Sequence, residues 1–178
     1  MAAYAYKLPR KYRYRRRGNS NTGPVAGVAL VAALVAASGT AKIAHAAAPA
    51  GGGTAAAQAI GYAKDQLGCP YTWGGTGPCA AGFDCSGLTQ AAWSAAGVSI
   101  PRTSEEQWAS LPHISRSQLQ PGDLVFAAGA DGTLASPGHV VMYIGHGKII
   151  QAYGQGVPLE VSSLASVNAA GLVGYARP

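Results

Sequence analysis

Apolar positions along this chain change their spacing near residue 121, and the change separates a helical first half from a β-rich second half. Ala56, Ile60, Ala63 and Leu67 recur at helical intervals after Thr54, so a helix is predicted from a Thr54 cap to Leu67, with Gly68 as its left-handed stop. A second predicted helix begins at Cys85, behind an Asp84 cap. Its stripe is Leu88, Ala91, Ala92, Ala95 and Ala96, and Gly97 ends it. A third follows Pro101, where Thr103 and Glu106 have capping-box spacing. After the Pro121-Gly122 turn come four short runs rich in β-branched and aromatic residues, at 123–126, 140–144, 148–153 and 172–176. Helices followed by strands is the order of an α+β fold. It lets a side chain at a helix start face one on a C-terminal antiparallel sheet.

Charge changes the picture at the N-terminus. The 178 residues carry a formal +6, yet Lys7, Arg10, Lys11, Arg13, Arg15, Arg16, Arg17 and Lys42 are eight cations with no acid before Ala47, so the remainder carries −2. The cations belong to a leader rather than to the fold, and nucleic acid is not an expected partner. The apolar run at 25–38 is shorter than the roughly 20 residues a membrane-spanning helix needs, and Ala44-His45-Ala46 offers small residues where a signal peptidase reads. Residues 1–46 therefore read as a signal peptide for ordinary export and 47–53 as a small-residue linker. Residues 54–178 read as one catalytic domain, which meets the membrane only during export and is expected to be a monomer. An uncleaved anchoring helix is the other reading of the leader. No internal repeat marks a second domain.

Cys85 sits at a predicted helix start, where unpaired N–H groups and the positive helix end favour thiolate and are expected to lower its pKa. The alternative is an inert buried thiol. A nucleophilic thiol needs a base that can later protonate the leaving amine, which at neutral pH means histidine. His113 and His146 fall in predicted loops, whereas His139 opens a predicted strand after Pro137-Gly138; an ordinary strand-end histidine is the competing reading. Cys69 and Cys79 flank a Gly- and Pro-rich loop, so in an exported protein they are expected to pair as a disulfide, leaving Cys85 as the odd thiol. Their spacing lacks the close ligand pair of a zinc site, and no metal or cofactor is expected.

Five motifs then occur in order: Tyr71-Thr72-Trp73-Gly74-Gly75, Phe83-Asp84-Cys85-Ser86-Gly87-Leu88, Pro101-Arg102-Thr103-Ser104, Pro121-Gly122-Asp123-Leu124-Val125-Phe126 and Gly138-His139-Val140-Val141-Met142-Tyr143-Ile144-Gly145. Together they resemble the NlpC family of bacterial cell-wall cysteine endopeptidases, from about Thr54 to the C-terminus. The resemblance implies a papain-like fold and a secreted or wall-associated enzyme acting on peptidoglycan stem peptides, commonly between D-glutamate and a diamino acid. By position it implies Cys85 as nucleophile, His139 as base and Gln151 as the residue that orients the imidazole, where histidine is more usual. It also implies Tyr71 as an oxyanion donor, with Asp84 and Ser86 lining the groove. For Tyr71 and Asp84 the plainer readings are packing and helix capping. Arg102 matches a family arginine whose role the local sequence does not specify. Trp93 and Trp108 are expected to pack, and Trp73 to border the groove. A silent wall-binding module and a thiol acyltransferase are the competing functions on the same scaffold.

The triad makes a demand on strand register. A plain two-residue His146-Gly147 turn would put His139 and Gln151 on opposite faces. A three-residue Gly145-His146-Gly147 loop, or an equivalent bulge, sets Gln151 opposite Val141 and on the face of His139. An odd-length loop or an equivalent bulge, with a Gln151–His139 hydrogen bond, is the expected form.

Overall fold

The computed structural model describes residues 54–178; the expected signal peptide and linker lie outside the described residues. In chain order the elements are α1 (Ala55–Asp65), α2 (Cys85–Ala95), α3 (Ser104–Ser110), β1 (His113–Ile114), a 3-10 turn (Arg116–Gln118), β2 (Leu124–Ala127), β3 (His139–Gly145), β4 (Lys148–Gln151), β5 (Glu160–Ser163), α4 (Ala165–Ala169) and β6 (Leu172–Ala176). The strands form one antiparallel sheet in the order β1-β6-β2-β3-β4-β5. This is an α+β fold, with the helices of the first half packed on the sheet of the second.

Both faces of the sheet are covered, which explains why β2 reads as an unbroken apolar run. Leu124 and Phe126 join Val140, Met142 and Ile150 against Leu88, Ala92 and Trp93 of α2 and Ala59 and Ala63 of α1. Val125 and Ala127 turn the other way and pack with Val141, Ile149 and Val167 of α4. Burying a side chain the size of Phe126 contributes about 1.5–3 kcal/mol, so the helix-side core holds α2 firmly on the sheet. At the C-terminus, Arg177 fastens β6 to the start of β2 by two bonds to the Asp123 carboxylate, at 2.7 and 2.8 Å.

The elements depart from the sequence reading where backbone partners override periodicity. Helix α1 stops at Asp65, because Gly68 donates to Leu159 O and Cys69 O accepts from Leu159 N, which pulls the chain out of the helix; Leu67 lies beyond its end. In α2 the buried positions after the first turn are Leu88, Thr89, Ala92 and Trp93, followed by the buried C-cap Ala96, while Ala95 is exposed. β4 ends at Gln151 rather than at 153. Strands β1 and β5 and helix α4 were not expected. His113, assigned to a loop, opens β1, stacks on Trp108 at 3.6 Å and bonds Trp108 O at 2.8 Å.

The β3–β4 hairpin takes the second of the two expected forms, a bulge rather than a three-residue loop. His146 and Gly147, at φ 52° and 66°, form a two-residue turn that pairs Gly145 with Lys148. Two left-handed central residues twist the chain as the flanking strands do, which favours this tight turn. The register is recovered by a bulge: Ile144 is the extra residue between the Tyr143–Ile149 and Gly145–Lys148 pairs, so Met142 faces Ile150 and the next pair would join Val141 and Gln151.

Candidate active site

The start of α2 is built around one carboxylate. Asp84 caps the helix through Oδ1, which accepts from Gly87 N at 2.6 Å and Ser86 Oγ at 3.3 Å, while Oδ2 accepts from Gly74 N at 2.9 Å. Arg102 completes the cluster with bonds of 3.0 and 2.6 Å to Oδ1 and Oδ2 and 2.9 Å to Ser86 Oγ. Asp84 is thus the helix cap as well as part of the groove floor, and its oxygens are spent on holding α2, the Gly74 loop and Arg102 together. Gly87 has to be glycine, because a Cβ there would strike the Gly75 carbonyl oxygen. This close approach brings the Tyr71–Gly75 loop over the helix start and presents Cys85 beneath it.

The thiol of Cys85 lies in the corner between α2 and β3. Its Sγ donates to Gly138 O at 3.9 Å, on the residue before His139, and the N–H groups of Val140, Ser86 and Cys85 itself favour its charge. Burial nevertheless outweighs them and, with the Asp84 charge, pushes the thiol above its ordinary range. The lowering expected from the helix start alone is therefore reversed. His139 is also buried, at 8% exposure, and desolvation holds the imidazole below its ordinary 6.5 although its bond to Gln151 opposes this. The resting pair is accordingly thiol and neutral imidazole. His139 Nε2 lies 3.4 Å from Gln151 Oε1, and the Tyr153 ring meets the imidazole edge-on at 5.9 Å.

A neutral pair fixes the sign of the pH dependence. With the base depressed and the thiol raised, kcat/KM should rise along an acid limb below pH 6.5 and then stay flat through neutrality. A thiolate–imidazolium pair would instead lose activity as the imidazolium deprotonates. A kcat/KM profile that falls between about pH 7 and 8 would refute the neutral pair.

Three adjoining cavities make one groove. A pocket of 610 Å³ runs from Arg102, Asp84 and Ser86 to Cys85; one of 230 Å³ is shared by Cys85 and His139; one of 410 Å³ continues past His139 to Gln151, Glu160 and Ser162. Tyr71 and Trp73 wall the first two. Tyr71 is held by a bridge to Phe83, and its hydroxyl makes no hydrogen bond among the described residues, while burial and then the Cys85 charge raise its pKa. Trp73, 71% exposed, stands at the rim, whereas Trp93 is buried in the core. Cys69 and Cys79 form a disulfide closing this loop, so thiol counting on denatured, unreduced protein should find Cys85 alone; three thiols would contradict the pairing.

The groove thus brings together Cys85, His139, Gln151, Tyr71, Asp84 and Ser86. His146 is exposed in the hairpin turn, away from it. Arg102 and Glu160 are among the groove residues that sequence reasoning left unassigned. Arg102 had a signal in its motif; Glu160 had none, because β5 is a short polar strand. Among the described residues no group of three His, Cys, Asp or Glu side chains converges to hold a metal ion.

Replacing Gln151 with alanine removes the neutral hydrogen bond it makes to the imidazole, worth about 1 kcal/mol, so kcat should fall about five- to tenfold. Gln151→His, which supplies another ring to bond the imidazole, should stay active. Wild-type rates in Gln151→Ala would exclude it from the site.

Comparison with known proteins agrees with this geometry. The NlpC/P60 family model matches residues 68–170. A probable endopeptidase p60 of Listeria innocua is 42% identical over 122 residues, covering 66% of this chain and 24% of that protein. The bifunctional muramidase/DL-endopeptidase CwlT of Bacillus subtilis is 41% identical over 91 residues, covering 51% of this chain and 27% of that protein. The chain therefore spans about a quarter of the length of these relatives. An NlpC/P60 family protein from Bacillus cereus superposes with a TM-score of 0.62 at 35% identity, over 68% of this chain and 39% of that one. The NlpC/p60 domain of the peptidoglycan hydrolase SagA does so with 0.58 at 30% identity, over 69% of this chain and 98% of that one.

Proposed function

The chain belongs to the NlpC/P60 family, and from that premise we propose that it is a secreted cysteine endopeptidase that hydrolyses the peptide stems of bacterial peptidoglycan through an acyl-enzyme on Cys85. The observation that carries the reading is that Cys85, at the start of α2, and His139, at the start of β3, line one cavity, with Gln151 bonded to Nε2 of the imidazole.

In the proposed mechanism the thiol proton moves from its place beside Gly138 O to Nδ1 of His139 as sulfur attacks the scissile carbonyl carbon. The resulting oxyanion is held by the Cys85 N–H and the unengaged Tyr71 hydroxyl. Collapse breaks the C–N bond, and the imidazolium returns the proton to the leaving amine. Water, deprotonated by the same imidazole, then cleaves the thioester and restores the thiol. Burial suits this sequence, since a neutral pair costs less in a desolvated corner than an ion pair does.

The bond we propose is that between D-glutamate and the diamino acid. The name of the Bacillus subtilis relative, a DL-endopeptidase, supports a D-to-L junction. Arg102 has N–H groups beyond those bound to Asp84 and Ser86, and it lines the Cys85 pocket where a substrate carboxylate could be met. Digesting purified peptidoglycan and identifying the fragments by mass spectrometry tests the reading. Stem fragments ending in glutamate, matched by fragments beginning with the diamino acid, are expected. Cleavage at another bond would overturn the assignment, and an undigested wall would overturn the enzymatic reading.

A further inference from the structure

An amide has a carbonyl end and an amino end of nearly equal shape, and which end meets His139 is decided by what lies behind it. Gln151, only 6% exposed, sits directly opposite Glu160 in the β4–β5 register, and Ser162 follows two residues on along the same face. Gln151 Nε2 is 2.9 Å from Ser162 Oγ and 3.3 Å from Glu160 Oε1. Ser162 alone cannot set the direction, because a hydroxyl both donates and accepts. A carboxylate only accepts, so the amino end must face Glu160 and the oxygen must face the imidazole, 3.4 Å from Nε2. That oxygen also only accepts, so Nε2 carries the ring proton. A neutral imidazole has one N–H, and Nδ1 therefore keeps its lone pair.

From this chain of donors and acceptors we infer that Glu160 is a positioning residue: acting through the Gln151 amide, it selects the His139 tautomer whose Nδ1 can take the Cys85 proton. The inference rests on the catalytic reading given above. It also names a consequence of having glutamine at this position, since an amide needs a partner to fix its direction. The other ionisable groups around the imidazole are Cys85, Asp131 and Tyr71, which line the same cavity, and Tyr153; α4 brings Ser166 and no ionisable side chain to the adjoining pocket.

The test combines kinetics on stem peptides with nitrogen-15 NMR of the His139 ring in the same proteins. In the wild type the proton should reside on Nε2. Glu160→Lys offers only donors, so the amide should turn, the proton should move to Nδ1, and kcat should fall at least about tenfold with KM little changed. Lysine suits an edge strand such as β5, and NMR dispersion reports whether the variant is folded. Glu160→Gln keeps an acceptor oxygen and should lose no more than about threefold in kcat, with the proton still on Nε2. In a Gln151→Ala background, Glu160→Lys should add no further loss, because the relay is already cut. Wild-type kcat with an Nε2 proton in Glu160→Lys would overturn the inference, as would equal losses in Glu160→Gln and Glu160→Lys. The ring proton is read without substrate, so an undigested wall would refute the catalytic reading separately from the positioning role.

Discussion

Cys85→Ser is expected to abolish stem-peptide hydrolysis while leaving the fold intact. Serine is nearly isosteric with cysteine, and the buried corner keeps the Gly138 carbonyl as an acceptor for its hydroxyl. The chemistry fails for a different reason. The proposed base is an imidazole held below its ordinary pKa, which can draw a proton from a thiol in concert with attack but is poorly matched to a far less acidic hydroxyl. A loss of about a thousandfold or more in kcat is expected, with an unchanged far-ultraviolet spectrum and a melting temperature within a few degrees. Activity near that of the wild type would remove Cys85 from the mechanism.

His139→Ala should be nearly as severe, because in the proposed mechanism one ring serves twice: it takes the thiol proton and later protonates the leaving amine. Loss of both roles is expected to cost about 100- to 10,000-fold in kcat. The change also leaves Gln151 Oε1 without its partner, but that oxygen borders a groove pocket where water can replace the ring, so stability should fall only modestly. His146→Ala provides the control. Its ring is exposed in the hairpin turn, and turnover should stay close to normal. A severe loss there, with His139→Ala active, would show that the base had been misassigned.

Much of this arrangement was legible because single residues carry strong local demands. Asp84 before an apolar stripe marks a helix start, and the cap found at Gly87 N shows why the stripe begins at Cys85. Thr103 and Glu106 form the capping box that their spacing implies. The need for His139 and Gln151 to share a face required one extra residue in the hairpin. The chain places that residue at Ile144 rather than in the turn, because left-handed backbone at His146 and Gly147 already satisfies the two-residue turn.

What was not legible depends on long-range partners. The reach of Leu159 to Gly68 and Cys69 ends α1 early, and nothing near Leu67 signals it. The thiol pKa followed the wrong sign from sequence because the helix end is a local feature, whereas the burial that overrides it comes from the whole corner between α2 and β3. β5 escaped notice because Glu160, Val161, Ser162 and Ser163 lack an apolar face, yet it supplies the carboxylate behind Gln151.

The claim that sulfur of Cys85 becomes acylated is tested most directly by rapid mixing with a stem peptide, acid quenching, and mass spectrometry of the digested protein. A transient adduct is expected with the mass of the acyl portion of the substrate, confined to the peptide that contains Cys85 and absent in Cys85→Ser. Continued release of product with no adduct on Cys85 at any quench time, together with turnover by Cys85→Ser, would contradict it.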